Sequence, residues 1–203
     1  MKKRFEGAKR LSDFIAGAEQ NREMWQSIYA RASVNDDILE LAQQLPAKRH
    51  LLVLVEDWCG DAFNSVPWLA RLADAVADKL ELRVLRRDEN LDLMDKHLSP
   101  TGGRAIPVVM VLDENFEEIG WWGSRPAELQ AWIDESGKSL DKAERYHQIR
   151  LWYSRDRGVS TLMEVLAVAG APIGQAAASP SYPPSEDLST VAPSPTHGRL
   201  SFT

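Results

Sequence analysis

The chain has 203 residues, which suits one domain of ordinary size with a remainder at an end, and its hydrophobic fraction of 44% can fill a core. A formal net charge of -6 and a pI near 5.3 exclude a general affinity for nucleic acid, because phosphates select a basic face. One cysteine, Cys59, excludes an intramolecular disulfide and points to a reducing compartment.

The start, Met1-Lys2-Lys3-Arg4, is basic, but no apolar stretch of signal-peptide length follows it. Residues 51–55 form the longest purely aliphatic run, far too short to cross a bilayer. The sequence therefore reads as a cytoplasmic protein with no membrane partner. Residues 9–32 place Leu11, Phe14, Ile15, Ala18, Trp25, Ile28 and Ala32 at steps of three and four, which predicts one amphipathic helix. A short helix follows, capped by Asn35 or Asp36 and ended by Pro46. The run Leu51-Leu52-Val53-Leu54-Val55 predicts a strand covered on both faces.

Trp58-Cys59-Gly60 breaks that strand, and residues 61–79 return to helical spacing. Residues 80–85 alternate like a strand, residues 90–98 read as a short helix, and residues 108–112 form a second fully apolar strand. Asp113-Glu114-Asn115 reads as a hairpin turn into a partner strand over 117–122. Pro126 is expected at the first position of a helix that runs to Ser136. Residues 140–156 predict a highly charged helix, and Thr161 to Glu164 has capping-box spacing ahead of an apolar one. From Ala171 the composition changes: the last 33 residues hold six of the 11 prolines and only Glu186, Asp187 and Arg199 as charges. Such a segment is expected to stay disordered.

The order strand, cysteine, helix, strand, helix, X-Pro, strand, strand, helix resembles the thioredoxin family over residues 50–137. Glu56-Asp57-Trp58-Cys59-Gly60-Asp61-Ala62 stands where that family has Trp-Cys-Gly-Pro-Cys. Pro67 matches its helix-kinking proline, Ile106-Pro107 its cis-proline segment, and Gly123 a glycine after the last strand. The resemblance implies an α/β thioredoxin fold, a central mixed sheet flanked by helices. The expected organisation is amino-terminal helices over 1–46, a thioredoxin-like core over 47–137, a helical extension over 138–170 and a tail over 171–203. It also implies Cys59 as the catalytic thiol, with Trp58, Gly60, Asp61, Ile106 and Pro107 binding substrate.

The chain departs from the family in two linked ways. Ala62 replaces the resolving thiol, and Val53 replaces the buried acid that serves that thiol. The expectation is thus a monothiol thiol–disulfide oxidoreductase, not a dithiol thioredoxin, forming mixed disulfides with a protein thiol or with glutathione as co-substrate. The alternative is a redox-inactive module that binds extended peptide segments in the same groove. No cofactor is expected, and His50, His97, His147 and His197 show no metal-ligand spacing. A helix amino terminus favours thiolate while Asp61 opposes it, so a Cys59 pKa somewhat below that of a free cysteine is expected. Glu56, Asp57 and Asp61 read as a solvated acidic rim, and Arg86-Arg87 as solvated.

Overall fold

The computed structural model describes residues 1–173, grouped in one unit, Met1–Ile173. The aliphatic run forms strand β1 (Arg49–Val55), every residue of which is buried. It pairs in parallel with β2 (Leu80–Arg86) and antiparallel with β3 (Val108–Leu112), and β3 pairs antiparallel with β4 (Glu118–Gly123). The order β2-β1-β3-β4 puts the two most apolar strands in the middle, where both faces are covered. This is the mixed sheet flanked by helices expected from the sequence. The hairpin between β3 and β4 turns at Asp113, whose carboxylate accepts from the Asn115 and Glu117 amides at 2.8 Å each. A Cβ at Gly123 would lie 2.5 Å from the Pro107 carbonyl oxygen, so only glycine lets the end of β4 lie that close to the start of β3.

Residues 9–32 do not form one helix. The segment follows α1 (Lys2–Gly7) and divides into α2 (Leu11–Ala16) and α3 (Arg22–Arg31). Asn21 adopts the left-handed conformation at φ 52, which ends one helical path and starts another. The apolar positions of both helices still enter the core beside β1, because the break preserves their inward face. Helix α4 (Asp36–Gln43) is capped as expected: Asn35 accepts from the Ile38 amide at 2.9 Å.

Helix α5 (Gly60–Ala75) carries Pro67 inside it and lies between α3 and β2. Helix α6 (Leu91–Met94) is shorter than expected. Pro126 is the N-cap of α7 (Ala127–Glu135) and not its first residue, so the helix starts one place later than expected. Asp141 caps α8 (Lys142–Asp156) through the Ala143 and Glu144 amides at 2.9 and 3.0 Å. Helix α9 (Val159–Val168) starts before Thr161, which is fully buried and caps nothing. The expected capping-box partner, Glu164, instead accepts from the Trp122 indole and the Ala127 amide. It ties α9 to β4 and to the start of α7.

Beyond Ile173 the proline-rich segment expected to be disordered lies outside the described residues. Among the described residues no helix is long and apolar enough to cross a membrane.

The helical extension is fastened at Gly158, which has φ +80 and faces the Trp68 side chain of α5. A Cβ there would lie 2.3 Å from Trp68 Cγ. Gly158→Ala combines a left-handed backbone with a clash against a buried indole. It is expected to lower the free energy of unfolding by roughly 2–4 kcal/mol in urea titration. A change within a few tenths of a kcal/mol would show that α8 and α9 are not held to α5 at this point.

Candidate functional site

The loop between β1 and α5 begins with two carboxylates that are not solvated. Glu56 and Asp57 are each 3% exposed. Arg86 at the end of β2 reaches both, at 3.0 Å to Glu56 and 3.2 Å to Asp57, and its guanidinium lies 5.4 Å from the Phe14 ring centroid. Glu56 also accepts from the Asp88 amide at 2.9 Å, and Asp57 from the Glu19 amide at 2.9 Å. The Asp57 carbonyl takes the Trp25 indole N–H at 3.0 Å. Burial alone would raise the Asp57 carboxyl, but the Glu19 amide and Arg86 bring it below its ordinary value. Of the acidic rim and arginine pair expected to be solvated, Glu56, Asp57 and Arg86 thus form one network with both carboxylates buried, while Arg87 pairs with Asp88 and Asp61 with Arg125. The reason is tertiary: Arg86 and the turn before α3 supply donors that no local pattern announces.

That network delivers Cys59 to the N-cap of α5, with its amide donating to the Glu56 carbonyl at 3.1 Å. The thiol is 7% exposed and donates to the Ile106 carbonyl oxygen at 3.4 Å. Burial pushes the Cys59 thiol up to about 11, against the Ala62 and Asp61 amides that favour thiolate, while Asp61 adds to the rise and Arg125 opposes it. The expectation of a pKa below that of a free cysteine fails here. The helix terminus is present, but desolvation of the sulfur outweighs it.

Asp61 follows in the first turn, with its side chain 12% exposed and 2.6 Å from Arg125. Tyr153 of α8 donates its hydroxyl to Asp61 at 2.9 Å. Burial holds the Asp61 carboxyl above its ordinary range in spite of Arg125. Sequence spacing did not reveal Arg125 or Tyr153, since they come from the loop after β4 and from the helical extension. No local pattern announces either partner, because an acid in the first turn of a helix is ordinarily satisfied by the helix terminus itself.

The structure brings the candidate residues together around one cavity of about 480 Å³, lined by Trp58, Cys59, Gly60, Asp61 and Ile106. Trp58 is 43% exposed, and the Arg87 guanidinium lies 5.1 Å from its ring centroid. The Ile106–Pro107 peptide is cis. Pro107 is buried beside Gly123 and does not line the cavity itself. Ala62 and Val53 are fully buried. Trp122 is buried at the end of β4, whereas Trp121 is 37% exposed beside His97. Among the described residues, no group of three or more His, Cys, Asp or Glu could hold a metal ion.

The thioredoxin family model matches residues 8–144, most of the chain, and the protein belongs to that family. The match begins well before His50, so it takes in α2, α3 and α4, which lie outside the resemblance carried by the motifs. The chain is similar to a Pseudomonas aeruginosa protein of unknown function solved by crystallography at 1.5 Å. The identity is 20% and the TM-score 0.62, over 81% of this chain and 93% of that one. It is similar to an HIV epitope scaffold to the same degree: 20% identity and TM-score 0.62, over 81% and 93%. At that identity the likeness establishes fold. No curated protein matches the chain.

Replacing Arg86 by Met leaves Glu56 and Asp57 buried without their cation. The expected loss is about 2–4 kcal/mol at neutral pH, moderated because the Arg86 side chain is 28% exposed. Asp57 has a depressed folded pKa, so its contribution is present above its unfolded value and is lost as pH falls through the folded one. The gap between wild type and Arg86→Met in urea titration should therefore narrow on acidification. A gap independent of pH would show that the carboxylates do not depend on Arg86.

Proposed function

We propose that the protein is a monothiol member of its family. It takes a partner segment into the cavity beside Cys59 and forms a mixed disulfide with it. The observation that carries this reading is the placement of Cys59 Sγ at the head of α5, against the Ile106 carbonyl, in the wall of the cavity of about 480 Å³. An extended segment lying along Ile106 would have that residue's backbone to pair with. Among the described residues the Ile106 N–H donates to no other backbone group.

In the exchange, the Cys59 thiolate attacks one sulfur of a disulfide carried by a partner protein or by oxidised glutathione. A new bond joins Cys59 to that sulfur, the old S–S bond breaks, and the other sulfur leaves as thiolate with the bonding pair. An external thiolate then attacks the mixed disulfide and releases Cys59 thiolate, because Ala62 offers no internal thiol. With a pKa near 11, roughly one Cys59 in ten thousand is thiolate at neutral pH. Such a basic thiolate is intrinsically more nucleophilic, but only by a fraction of what the lost population costs. Exchange is therefore slow unless the cavity holds the partner sulfur against Sγ and raises its effective concentration.

The second reading, docking of a peptide segment without chemistry, is favoured by the same burial of the thiol. Glutathione disulfide at mildly alkaline pH separates the two. The first reading expects one glutathione adduct on the folded protein by intact mass, absent from Cys59→Ser. Absence of the adduct until the protein is unfolded would give the second reading its place. The wild type is also expected to reduce insulin with dithiothreitol at close to the uncatalysed rate, and Ala62→Cys to exceed it. A wild type as fast as a dithiol thioredoxin would contradict both readings.

A further inference from the structure

The lining of the Cys59 cavity runs against the charge of the rest of the chain. Among the described residues five arginines line it, Arg87, Arg104, Arg125, Arg145 and Arg150, and Asp61 is the one carboxylate among them. A second cavity of about 380 Å³ shares Phe63, Asn64 and Arg150 with the first. It adds Arg31 and Arg157 and, among the described residues, has no carboxylate in its lining. The shared residues make the two cavities neighbours along the α5–α8 seam. This arginine-lined trough lies in a chain of net charge -6, so it is not a by-product of a basic composition.

Some of these cations are already matched. Arg104 pairs with Asp95 at 2.7 Å, Arg87 with Asp88 at 2.8 Å and Arg125 with Asp61 at 2.6 Å. Arg145, Arg150 and Arg157 make no ion pair among the described residues, and the buried Arg125 Nε has no hydrogen-bond partner. Between the arginines the walls are apolar: Ile133 and Ile149 in the first cavity, Met24 and Ile28 in the second. Tyr146 and Trp58 are exposed at the first.

From this pattern we infer that the partner segment is an extended acidic peptide, with Asp or Glu side chains set between apolar ones. The inference rests on the reading of the Cys59 cavity as a docking site and names the class of its occupant. Planar guanidinium groups bind carboxylates in pairs of hydrogen bonds, and the aliphatic walls take the apolar side chains between them. A nucleic acid offers phosphates to the arginines but no aliphatic groups to Ile149 or Met24. A small anion at Cys59 would leave the arginines of the second cavity unused.

The test is fluorescence polarisation with three labelled probes. One is a decapeptide of alternating Glu and Leu with a central Ser in place of Cys; the second has Lys for Glu; the third is single-stranded oligothymidylate. The acidic peptide is expected to bind at least about tenfold more tightly than the basic one, and to weaken as salt rises. Arg145→Ala with Arg150→Ala, both on α8, is expected to weaken the acidic probe about tenfold with an unchanged circular dichroism spectrum. If that pair disturbs α8, Arg157→Ala supplies the same comparison from the second cavity. Equal binding of the two peptides, tighter binding of the oligonucleotide, or indifference to the arginine variants would overturn the inference. The serine probe cannot exchange disulfides, so it reads docking alone, and the glutathione adduct reads chemistry alone. Acidic preference without an adduct removes the exchange reaction only; an adduct without acidic preference removes this inference only.

Discussion

The site depends on one guanidinium. Arg86 stands between Glu56 and Asp57, and the two carboxylates leave water because each pairs with the partly exposed guanidinium and accepts a further hydrogen bond from a backbone amide. The strand β2 that carries Arg86 runs parallel to β1, in the register Val55 with Arg86, so the arginine arrives level with the end of β1. Through Asp57 the same group of bonds reaches the Glu19 amide and the Trp25 indole. The amino-terminal helices, the sheet and the loop before Cys59 therefore share one anchor.

What that anchor presents is a thiol at a helix amino terminus, where backbone amides favour the thiolate. Here burial is the larger effect. The sulfur sits under the Ile106 carbonyl, near the Asp61–Arg125 pair to which Tyr153 donates its hydroxyl, and its burial leaves little water to stabilise an anion. The helical extension takes part directly, since Tyr153 belongs to α8 and α8 and α7 share a small apolar cluster of Leu129, Ile133, Ile149 and Tyr153. Loss of the second thiol at Ala62 and closure around the first are consistent with one another.

Much of the fold was legible in the sequence because its signals are local. Continuous aliphatic runs gave β1 and β3, Asn35 gave a helix start, and Asp113 gave a hairpin. The single break in 9–32 was hidden because it is made by distant groups: the Glu19 and Gln20 amides leave the helix to bond Asp57. Thr161 carried a capping pattern, yet the chain spends Glu164 on Trp122 and Ala127 instead. At the site, Cys59, Trp58, Asp61 and Ile106 were expected from the resemblance of the Trp-Cys-Gly and Ile-Pro segments to the family's motifs, and the structure places them around one cavity. The charge states were not legible. Glu56 and Asp57 looked solvated because their cation lies about thirty residues away, and the thiol looked mildly activated because its burial is a property of packing. The arginines of α8 had no reason to be linked to Cys59 until the extension folded back beside α5.

The central claim is that burial, and not the helix terminus, sets the state of Cys59. The most direct measurement is the rate of Cys59 alkylation against pH in the folded wild type and in Asp61→Asn. The account expects the wild-type rate to climb about tenfold per pH unit through the alkaline range, toward a midpoint near 11. Asp61→Asn, which removes the nearby anion and leaves Arg125 facing the sulfur, should be several-fold faster at neutral pH. A wild-type midpoint below about 8.5, the value of a free cysteine, would contradict it.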